Sequence, residues 1–590
     1  HVDAEKLLKQ AIEKQPDAPA SYYNLACAQA RQGKTDEALE SLRTAIAKGF
    51  HDEPLMKDDE DLVTLRKSDG FDDLLKQAKV AKPLRITRKV EPQEPVDGHV
   101  TVSEGNTIWD ARLGVFRAFF EPPAVSAEVL RGSGKARDLV RTWYAAGTAA
   151  GNVGDFYDNH DGDHSNLAYK NYPQLTRIEF SAEARKRRFH IGLQDRFLYN
   201  VVTLGNSSMA VTGKFWRSQT RLAYTRPRGA LQLYLQYRNH HLYIYPEHRD
   251  YDPGHNKQDG GGYGDVYCAN TPYLLTSQGS SGSDRRFLDA IACTLAAFRP
   301  ETKQRLIERG LLMPTVQMIL RRCYQPVITD KDYLRGKAHP VVFDGKRLNA
   351  TSMVMLAHDM RPDDIPPLAV IKVLEEDQPL VGVDYFDAGP REKLFDTPSA
   401  VARIMRSTAY RRRLVVSAES SEDVNDRELT FHWSVLQGIE EEIQIKPLNK
   451  SSSKVELSIP YHPRRPVQPD SKMETNRVDI GLFVHNGAYY SAPAIISFQF
   501  LDNEKRVYND DQQIVCVEYS SAAKGGNYTD PAIDTPKNWI DEYEYDDEKR
   551  LVGWTRRRGD SEEHFTANGE LVTKWDEQRR PIEARTVKYL

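Results

Sequence analysis

Residues 230–248 read ALQLYLQYRNHHLYIYPEH. Apolar and polar residues alternate through ALQLYLQY (230–237) and again through HLYIYPEH (241–248). Alternation with a period of two marks a half-buried strand. The spacing therefore predicts two strands joined by a short turn at 238–240, a β-hairpin. On that reading the surrounding stretch, 101–395, is a large α+β domain, with room for an α/β core.

The segments downstream fit the same frame. A Gly-rich loop, DPGHNKQDGGGYGD (252–265), is followed by a strand candidate PYLLTSQ (272–278) and then GSSGSD. Helices are predicted near 284–298, 301–311 and 314–323, and a second strand-to-helix passage at HPVVFDG (339–345). Nearly 300 residues are enough to bury a large core and still carry a cleft.

The whole chain has 590 residues, 39% hydrophobic, 9% aromatic and 28% charged, with a formal net charge of -4. That balance gives no general electrostatic reason to bind nucleic acid or a membrane surface. No apolar run approaches the roughly 18 residues needed to span a bilayer. Cys27, Cys268, Cys293, Cys323 and Cys516 are widely spaced with no CxxC pair, which argues against a thiolate zinc site, a redox motif or a disulfide framework.

At the N-terminus Ala4, Leu8 and Ala11 recur as Ala38, Leu42 and Ala45, a spacing of 34 residues. Between them SYYNLACAQARQGKTDEALESL (21–42) places Tyr22, Leu25, Ala26, Ala38, Leu42 and Ala45 at alternating small and large packing positions. Residues 1–80 resemble the tetratricopeptide repeat at the period that family requires. Pro16 closes one helix and Gly33 turns the chain between the next two. Residues 3–15 match the second helix of a repeat, so the native protein is expected to begin upstream, with Leu7, Leu8, Ala11 and Ile12 exposed. The resemblance implies a protein partner. Residues 81–100 mix Pro and charge without helical period and read as a linker.

Residues 396–505 carry alternating strands at sandwich spacing: RLVVSAESSEDVNDRELTFHWSVLQG (413–438), KVELSIPYH, RVDIGLFVHNG and PAIISFQF. The opening resembles the polycystic-kidney-disease-type immunoglobulin-like domain, which implies a β-sandwich with Trp433 in its core near Val415, Phe483 and Ile495. In the tail, 506–590, YDDEKRLVGW (545–554) and WDEQRRPIEA (575–584) align at a period of 30 with HFTANGELV between them. This is similar to the tyrosine–aspartate hairpin repeats of bacterial surface proteins, with Lys549 and Arg579 where that pattern has Gly. The fold class is thus multidomain: a helical repeat segment, an α+β central domain, an immunoglobulin-like sandwich and a β-hairpin tail.

Three stretches carry candidate chemistry. YDNHDGDHSNL (157–167) holds Asp158, Asn159, His160, Asp161, Asp163 and His164 on a turn-forming sequence. A mixed His/Asp set of this kind (His160, Asp163 and His164, with His248 from elsewhere) suits one divalent metal such as zinc, and its oxygen-only subset suits calcium. A hydrogen-bonded polar turn is the plainer reading. YPEHRDYDPGH (245–255) adds Glu247, His248, Arg249, Asp250, Asp252 and His255 at a strand end, where sites commonly form. Tyr243, Tyr245, Tyr251, Tyr263 and Tyr267 are interleaved, either as sugar-stacking platforms or as a packed face. QGSSGSDRRFLDAI (278–291) reads as strand, turn and helix, with Ser280, Ser281 or Ser283 as nucleophile or Ser283 as helix cap.

The expected catalytic set is His160, His164, Glu247, His248 and Ser281, with Asn159, Arg249, Tyr251 and Tyr263 contacting substrate. The function expected is that of an exported bacterial protein, in the periplasm or at the cell surface, whose central domain is a hydrolase or lyase acting on a glycan or wall polymer. The competing expectation is a non-catalytic surface or scaffold protein that binds partners through its repeats and sandwich.

Overall fold

A computed structural model describes residues 2–80, 90–123, 128–160, 166–192, 196–207, 223–247, 267–279, 282–380, 383–385, 392–467, 474–501, 503–519, 533, 537–578 and 580–587. The chain divides into two compact units. One comprises His1–Pro92, Glu104–Phe119 and Arg196–Leu198; the other comprises Gln93–Ser103, Phe120–Asp195 and Tyr199–Leu590.

In the first unit α1 (Val2–Lys14), α2 (Pro19–Ala30) and α3 (Thr35–Ala47) follow one another through short turns. Pro19 opens α2, where a missing N–H costs nothing, and Gly33 turns the chain at φ +74. Ala26, Ala38, Leu42 and Ala45 are fully buried. Small side chains at these positions let α2 and α3 approach closely. On α1 Leu7 is 64% exposed and Ala11 is exposed, while Leu8 and Ile12 are half-buried.

The second unit is built on a seven-stranded, wholly parallel sheet. Its strands are β1 (His99–Val102), β2 (Asp155–Asn159), β3 (Thr176–Phe180), β4 (Val202–Asn206), β5 (His241–Glu247), β6 (Leu275–Gln278) and β7 (Val342–Phe343). Their order in the sheet is β1-β3-β2-β4-β5-β6-β7. Helices of this unit include α4 (Lys135–Ala145), α5 (Gly229–Arg238), α6 (Arg285–Ala297), α7 (Pro300–Glu308), α8 (Leu312–Arg322) and α9 (Ala350–Asp359).

The expected hairpin at 230–248 is therefore corrected. Residues 229–238 form α5, and β5 pairs in parallel with β4 and β6. Ala230, Leu233 and Tyr237 are buried, a helical spacing. The same letters also alternate with period two, so periodicity alone did not separate the two states. Every residue of β5 is buried, the condition of a strand covered on both faces. The turn at 238–240 exists, with His240 at φ +67, but it joins a helix to a strand.

C-terminal to the parallel sheet two antiparallel-rich sheets face one another. One has four strands in the order Lys372–Glu376, Arg411–Ser417, Lys454–Pro460, Gln444–Pro447. The other has five: Lys393–Thr397, Ala400–Met405, Ala494–Phe500, Arg477–His485, Thr430–Gln437. Leu414, Val416 and Leu457 from the first meet Ile480, Leu482 and Ile496 from the second in one core. The first strand, at Lys372–Glu376, lies inside the stretch expected to belong to the central domain.

The five-stranded sheet is buried on its other face as well. Ala400, Ala402, Ile404, Phe483 and Ile495 join the core of the parallel-sheet region. This corrects the expectation for Trp433. It lies on a strand, opposite Leu482, with Phe483 opposite His432 instead. Side chains alternate across a strand, so Trp433 and Phe483 point to opposite faces. Trp433 is half-buried at the rim of the sandwich core and donates through Nε1 to the Ser452 carbonyl at 2.9 Å.

The tail from 504 to 585 is a seven-stranded antiparallel meander in sequence order. The same turn closes at Asn509, Asp546 and Asp576, the last two 30 residues apart. Asp546 Oδ1 accepts from the Glu548 and Arg550 amides at 3.0 and 2.8 Å, and Asp576 Oδ1 accepts from the Gln578 and Arg580 amides at 2.9 and 2.7 Å. Lys549 has φ +63, a conformation that favours Gly. Arg579 lies outside the described residues.

Arg506 ties the meander to the sandwich. Its guanidinium donates to the Met405 and Ser407 carbonyls and pairs with Glu504 at 2.7 Å, both side chains being almost fully buried. Replacing Arg506 by Met leaves a buried carboxylate without its cation, with an expected cost of about 3–5 kcal/mol. The urea midpoint should fall accordingly, and adding Glu504→Gln should restore part of it. An unchanged midpoint for the single variant would show that this pair does not hold the two sheets together.

Candidate functional site

In a parallel sheet every strand ends on the same edge. After β2 the chain steps to β3 on one side, then crosses to β4 on the other. β2 and β4 therefore border a topological switch point, where open α/β sheets leave a crevice beyond their carboxyl ends. β2 ends in Asp158 and Asn159 and β4 in Gly205 and Asn206, paired Asp158 to Gly205 and Asn159 to Asn206.

Asp158 is fully buried. Its Oδ2 accepts hydrogen bonds from the hydroxyls of Tyr199 and Tyr243, each at 2.9 Å. Its Oδ1 lies 2.7 Å from His160 Nε2, an ion-pair distance without hydrogen-bond alignment. His160 is itself fully buried, and its Nδ1 has no hydrogen-bond partner among the described residues. The backbone fixes the ring's position: the His160 amide donates to the Asn206 carbonyl at 2.9 Å, and its carbonyl accepts from Gly192 N and Ser207 Oγ, both at 3.2 Å. Burial, then the charge of Asp158, pushes both tyrosine hydroxyls well above the usual phenol range, so both stay protonated donors.

A second buried chain runs beside this one. Tyr157 donates to Asn206 Oδ1 at 2.6 Å, and Asn206 Nδ2 donates to Asp284 Oδ2 at 2.7 Å. Asp284 precedes α6 and is fully buried.

Tyr243 reaches Asp158 by passing over Gly205. A Cβ at position 205 would lie inside the Tyr243 ring. Gly in a strand interior often marks such a close approach. Behind Tyr199, His241 Nε2 accepts from the Tyr199 amide and lies 3.1 Å from Asn239 Nδ2. Burial first, then His240, lowers the His241 imidazole to about 3.

The three stretches singled out in the sequence follow β2, β5 and β6, so their first residues sit on one sheet edge, with β4 between β2 and β5. Asn159 ends β2 and His160 follows it, and Glu247 ends β5, where its carbonyl accepts from the Gly279 amide at 2.8 Å. Asp163, His164, His248, Arg249, Tyr251, Tyr263 and Ser281 lie outside the described residues, as do Asp161, Asp250, Asp252, His255 and Ser280. Ser283 is not a helix cap: its hydroxyl meets Ser277 Oγ at 2.8 Å, and α6 starts after Asp284. Tyr243, Tyr245 and Tyr267 are each at most 2% exposed and cannot serve as sugar platforms. The residues that sequence reasoning missed are Tyr199, Gly205, Asn206 and Asp284. The one available signal was Gly205 inside the apolar run VVTLGN.

Comparison with known proteins bears on parts of the chain. The tetratricopeptide repeat family matches residues 7–40. A chloroplastic protein of Arabidopsis thaliana is 39% identical over 61 residues, which are 10% of this chain and 18% of that protein's length. Among solved structures, a nucleoside hydrolase-related hypothetical protein from Saccharophagus degradans, described as associated with carbohydrate metabolism, is 10% identical. That comparison covers 51% of this chain and 71% of the other, with a TM-score of 0.17.

Two outcomes are expected of the scaffold around Asp158. Gly205→Ala should displace the Tyr243 ring and cost about 1–3 kcal/mol as overpacking. In a double-mutant cycle with Tyr243→Val the two costs should be non-additive; simple additivity would refute the crossing. The second concerns pH. The native His241 imidazole titrates below the ordinary value of 6.5, so the unfolded chain binds a proton that the native state refuses. Its stabilising effect is intact above pH 6.5 and is lost as pH falls toward 3. Between pH 7.5 and 4.5 it should remove about 3 kcal/mol. Urea midpoints for the native chain and for His241→Asn should converge over that interval; parallel curves would contradict it.

Proposed function

We propose that the central domain is a hydrolase or lyase acting on a glycan or related polar polymer, with its reacting centre at the β2/β4 switch point. The observation that carries this reading is the buried Asp158–His160 pair, whose imidazole Nδ1 has no hydrogen-bond partner among the described residues. Buried polar atoms are for the most part hydrogen-bonded, and this one lies at the edge where open α/β sheets bind ligands. A carboxylate beside an imidazole stabilises the cation that forms when the imidazole takes a proton. His160 is thus the proton acceptor, and Asp158, held by Tyr199 and Tyr243, orients it and balances its charge. Asn159, half-buried at the end of β2, and Glu247 at the end of β5 line the approach and are the substrate-facing polar groups of this reading.

A divalent metal, zinc or calcium, is the second form of the same proposal. Asp158 and His160 supply two donor atoms, one fewer than the three protein ligands usual for catalytic zinc. Asp163, His164 or His248 would have to complete the set. When bound, such an ion would polarise the scissile group or lower the pKa of a water. The reading also takes the protein to act outside the bacterial cytoplasm. No described helix is long and apolar enough to cross a membrane.

The test is turnover on a panel of oligosaccharides, before and after chelation, with metal content measured on the same samples. His160→Gln should lower turnover by at least about two orders of magnitude while circular dichroism and the melting temperature stay near those of the native chain. A full rate in that variant, or no turnover on any member of the panel, would favour the other reading. That other reading is a partner-binding protein acting through its helical repeats, and the exposed Leu7 on α1 beside the repeat match at 7–40 supports it.

A further inference from the structure

A cavity of about 300 Å³ lies between the tail meander and the sandwich, far along the chain from the Asp158 site. Its walls come from the meander strands at 514–519, 540–545, 551–558 and 561–566 and from the sandwich residues Arg406 and Thr408. The lining holds five cationic side chains, Arg406, Lys537, Arg556, Arg558 and Arg585, against three carboxylates, Glu504, Asp541 and Glu563. Two of those carboxylates are already committed: Glu504 to Arg506, and Asp541 to Arg556 through a two-point contact at 2.7 and 2.8 Å. Arg558 and Arg585 are exposed and have no carboxylate partner among the described residues.

The aromatic residues of the cavity hold the cations in place. The Arg556 and Arg558 guanidiniums lie 4.5 and 4.6 Å from the Trp539 ring centre, and the Lys537 ammonium lies 4.8 Å from that of Tyr519. Stacking of this kind limits side-chain motion and presents the N–H edges of a guanidinium, not its face, to a ligand. A planar fork of donors matches a carboxylate in two-point geometry. The cavity is at the lower end of the range for small-ligand sites, so it fits one or two sugar rings.

We infer that this cavity binds the carboxylate-bearing units of an acidic glycan, a uronic-acid polymer, and so retains polymer near the Asp158 site. The inference rests on the glycan reading of the central domain for its choice of a sugar acid. The excess positive charge and the ordered guanidiniums stand independently of it. Glu563, whose carboxylate also faces the cavity, supplies an acceptor for a sugar hydroxyl.

The experiment is calorimetric titration of the full chain with a galacturonic acid tetramer at low and high salt. The same oligosaccharide with its carboxyl groups reduced to alcohols, and inorganic phosphate, serve as the comparison ligands. The acidic tetramer should bind, more weakly as salt is raised, and the reduced one should bind roughly tenfold less tightly or not at all. Arg558→Gln combined with Arg585→Gln should weaken binding roughly tenfold or more. Arg550→Gln, an exposed arginine outside the cavity, should not. Both target side chains are exposed, so folding should survive, and circular dichroism checks it. Equal binding of the reduced oligosaccharide, no effect of the double variant, or phosphate binding as tightly as the tetramer would each overturn the assignment. Turnover of short oligosaccharides is measured in parallel. Binding without any turnover leaves this inference standing and removes the catalytic reading; turnover without acidic binding does the reverse.

Discussion

A carboxylate with no exposed surface must be given hydrogen-bond donors, and the switch-point architecture is arranged around supplying them to Asp158. Left alone, a buried carboxylate would be neutralised or the fold would open to hydrate it. Here two phenols and one imidazole meet it. The phenols come from either side of β4 in sequence, Tyr199 before it and Tyr243 on β5. Tyr243 arrives only because position 205 has no side chain. His241 in turn accepts from the Tyr199 backbone and is kept neutral by its own burial. Removing any of these leaves the next without a partner, which is why a site of four or five residues constrains three strands.

The second constraint is the double burial of the five-stranded sheet. One face packs on its sandwich partner and the other on the core of the parallel-sheet region. Polar bonds fix the contact: Tyr333 donates to the Ser491 carbonyl at 2.7 Å, Arg477 to the Tyr267 carbonyl at 2.6 Å, and Asn486 to the Ile365 carbonyl at 2.8 Å. At Gly336 the backbone approaches the Leu436 carbonyl so closely that no Cβ fits. A large apolar contact of this kind differs from the polar surfaces between mobile domains. The sandwich thus packs directly on the parallel-sheet region through an apolar core and these hydrogen bonds.

Much of this was legible in the sequence, and where it was not the reasons are physical. The repeat helices, the helices at 285–322 and the strands at 241–247 and 275–278 followed from period and composition. ALQLYLQY did not, because its apolar residues satisfy both the two-residue and the 3.6-residue period, and tertiary burial against β5, α8 and the strand Lys393–Thr397 selected the helix. Trp433 carried a strand signal but no signal for which side of the strand would be the deeper one. Phe483 and Ile495 face a second core that a domain-by-domain reading does not contain. At the site, polar density marked Asp158 and His160. Their partners Tyr199 and Gly205 belong to runs that look like ordinary core, since a buried hydroxyl and a missing side chain leave little trace in composition. The glycine expected at position 549 by the repeat pattern has a visible cause in the backbone: Lys549 adopts φ +63.

The buried charges of the second unit differ in how completely they are paired. Lys303 closes on Asp155 at 2.8 Å with Asn152 and the Gly151 carbonyl completing the set, and Arg477 closes on Asp479 at 2.8 Å with Ser497 on the other side. Arg412 and Glu392 close similarly, with Glu392 also accepting from the Arg406 and Ser407 amides. Each is an ion pair finished by neutral neighbours, as a load carried only for stability requires. The Asp158–His160 pair is finished on the carboxylate side alone. Two phenols donate to one oxygen, while the imidazole's Nδ1 has no hydrogen-bond partner among the described residues. That asymmetry sits at the β2/β4 switch point, the edge at which open α/β sheets bind ligands. Other buried side chains of the same unit, among them Arg321 and His339, also keep nitrogens without a hydrogen bond, so it is the position of the Asp158–His160 pair at the switch point, and not the open nitrogen by itself, that singles it out.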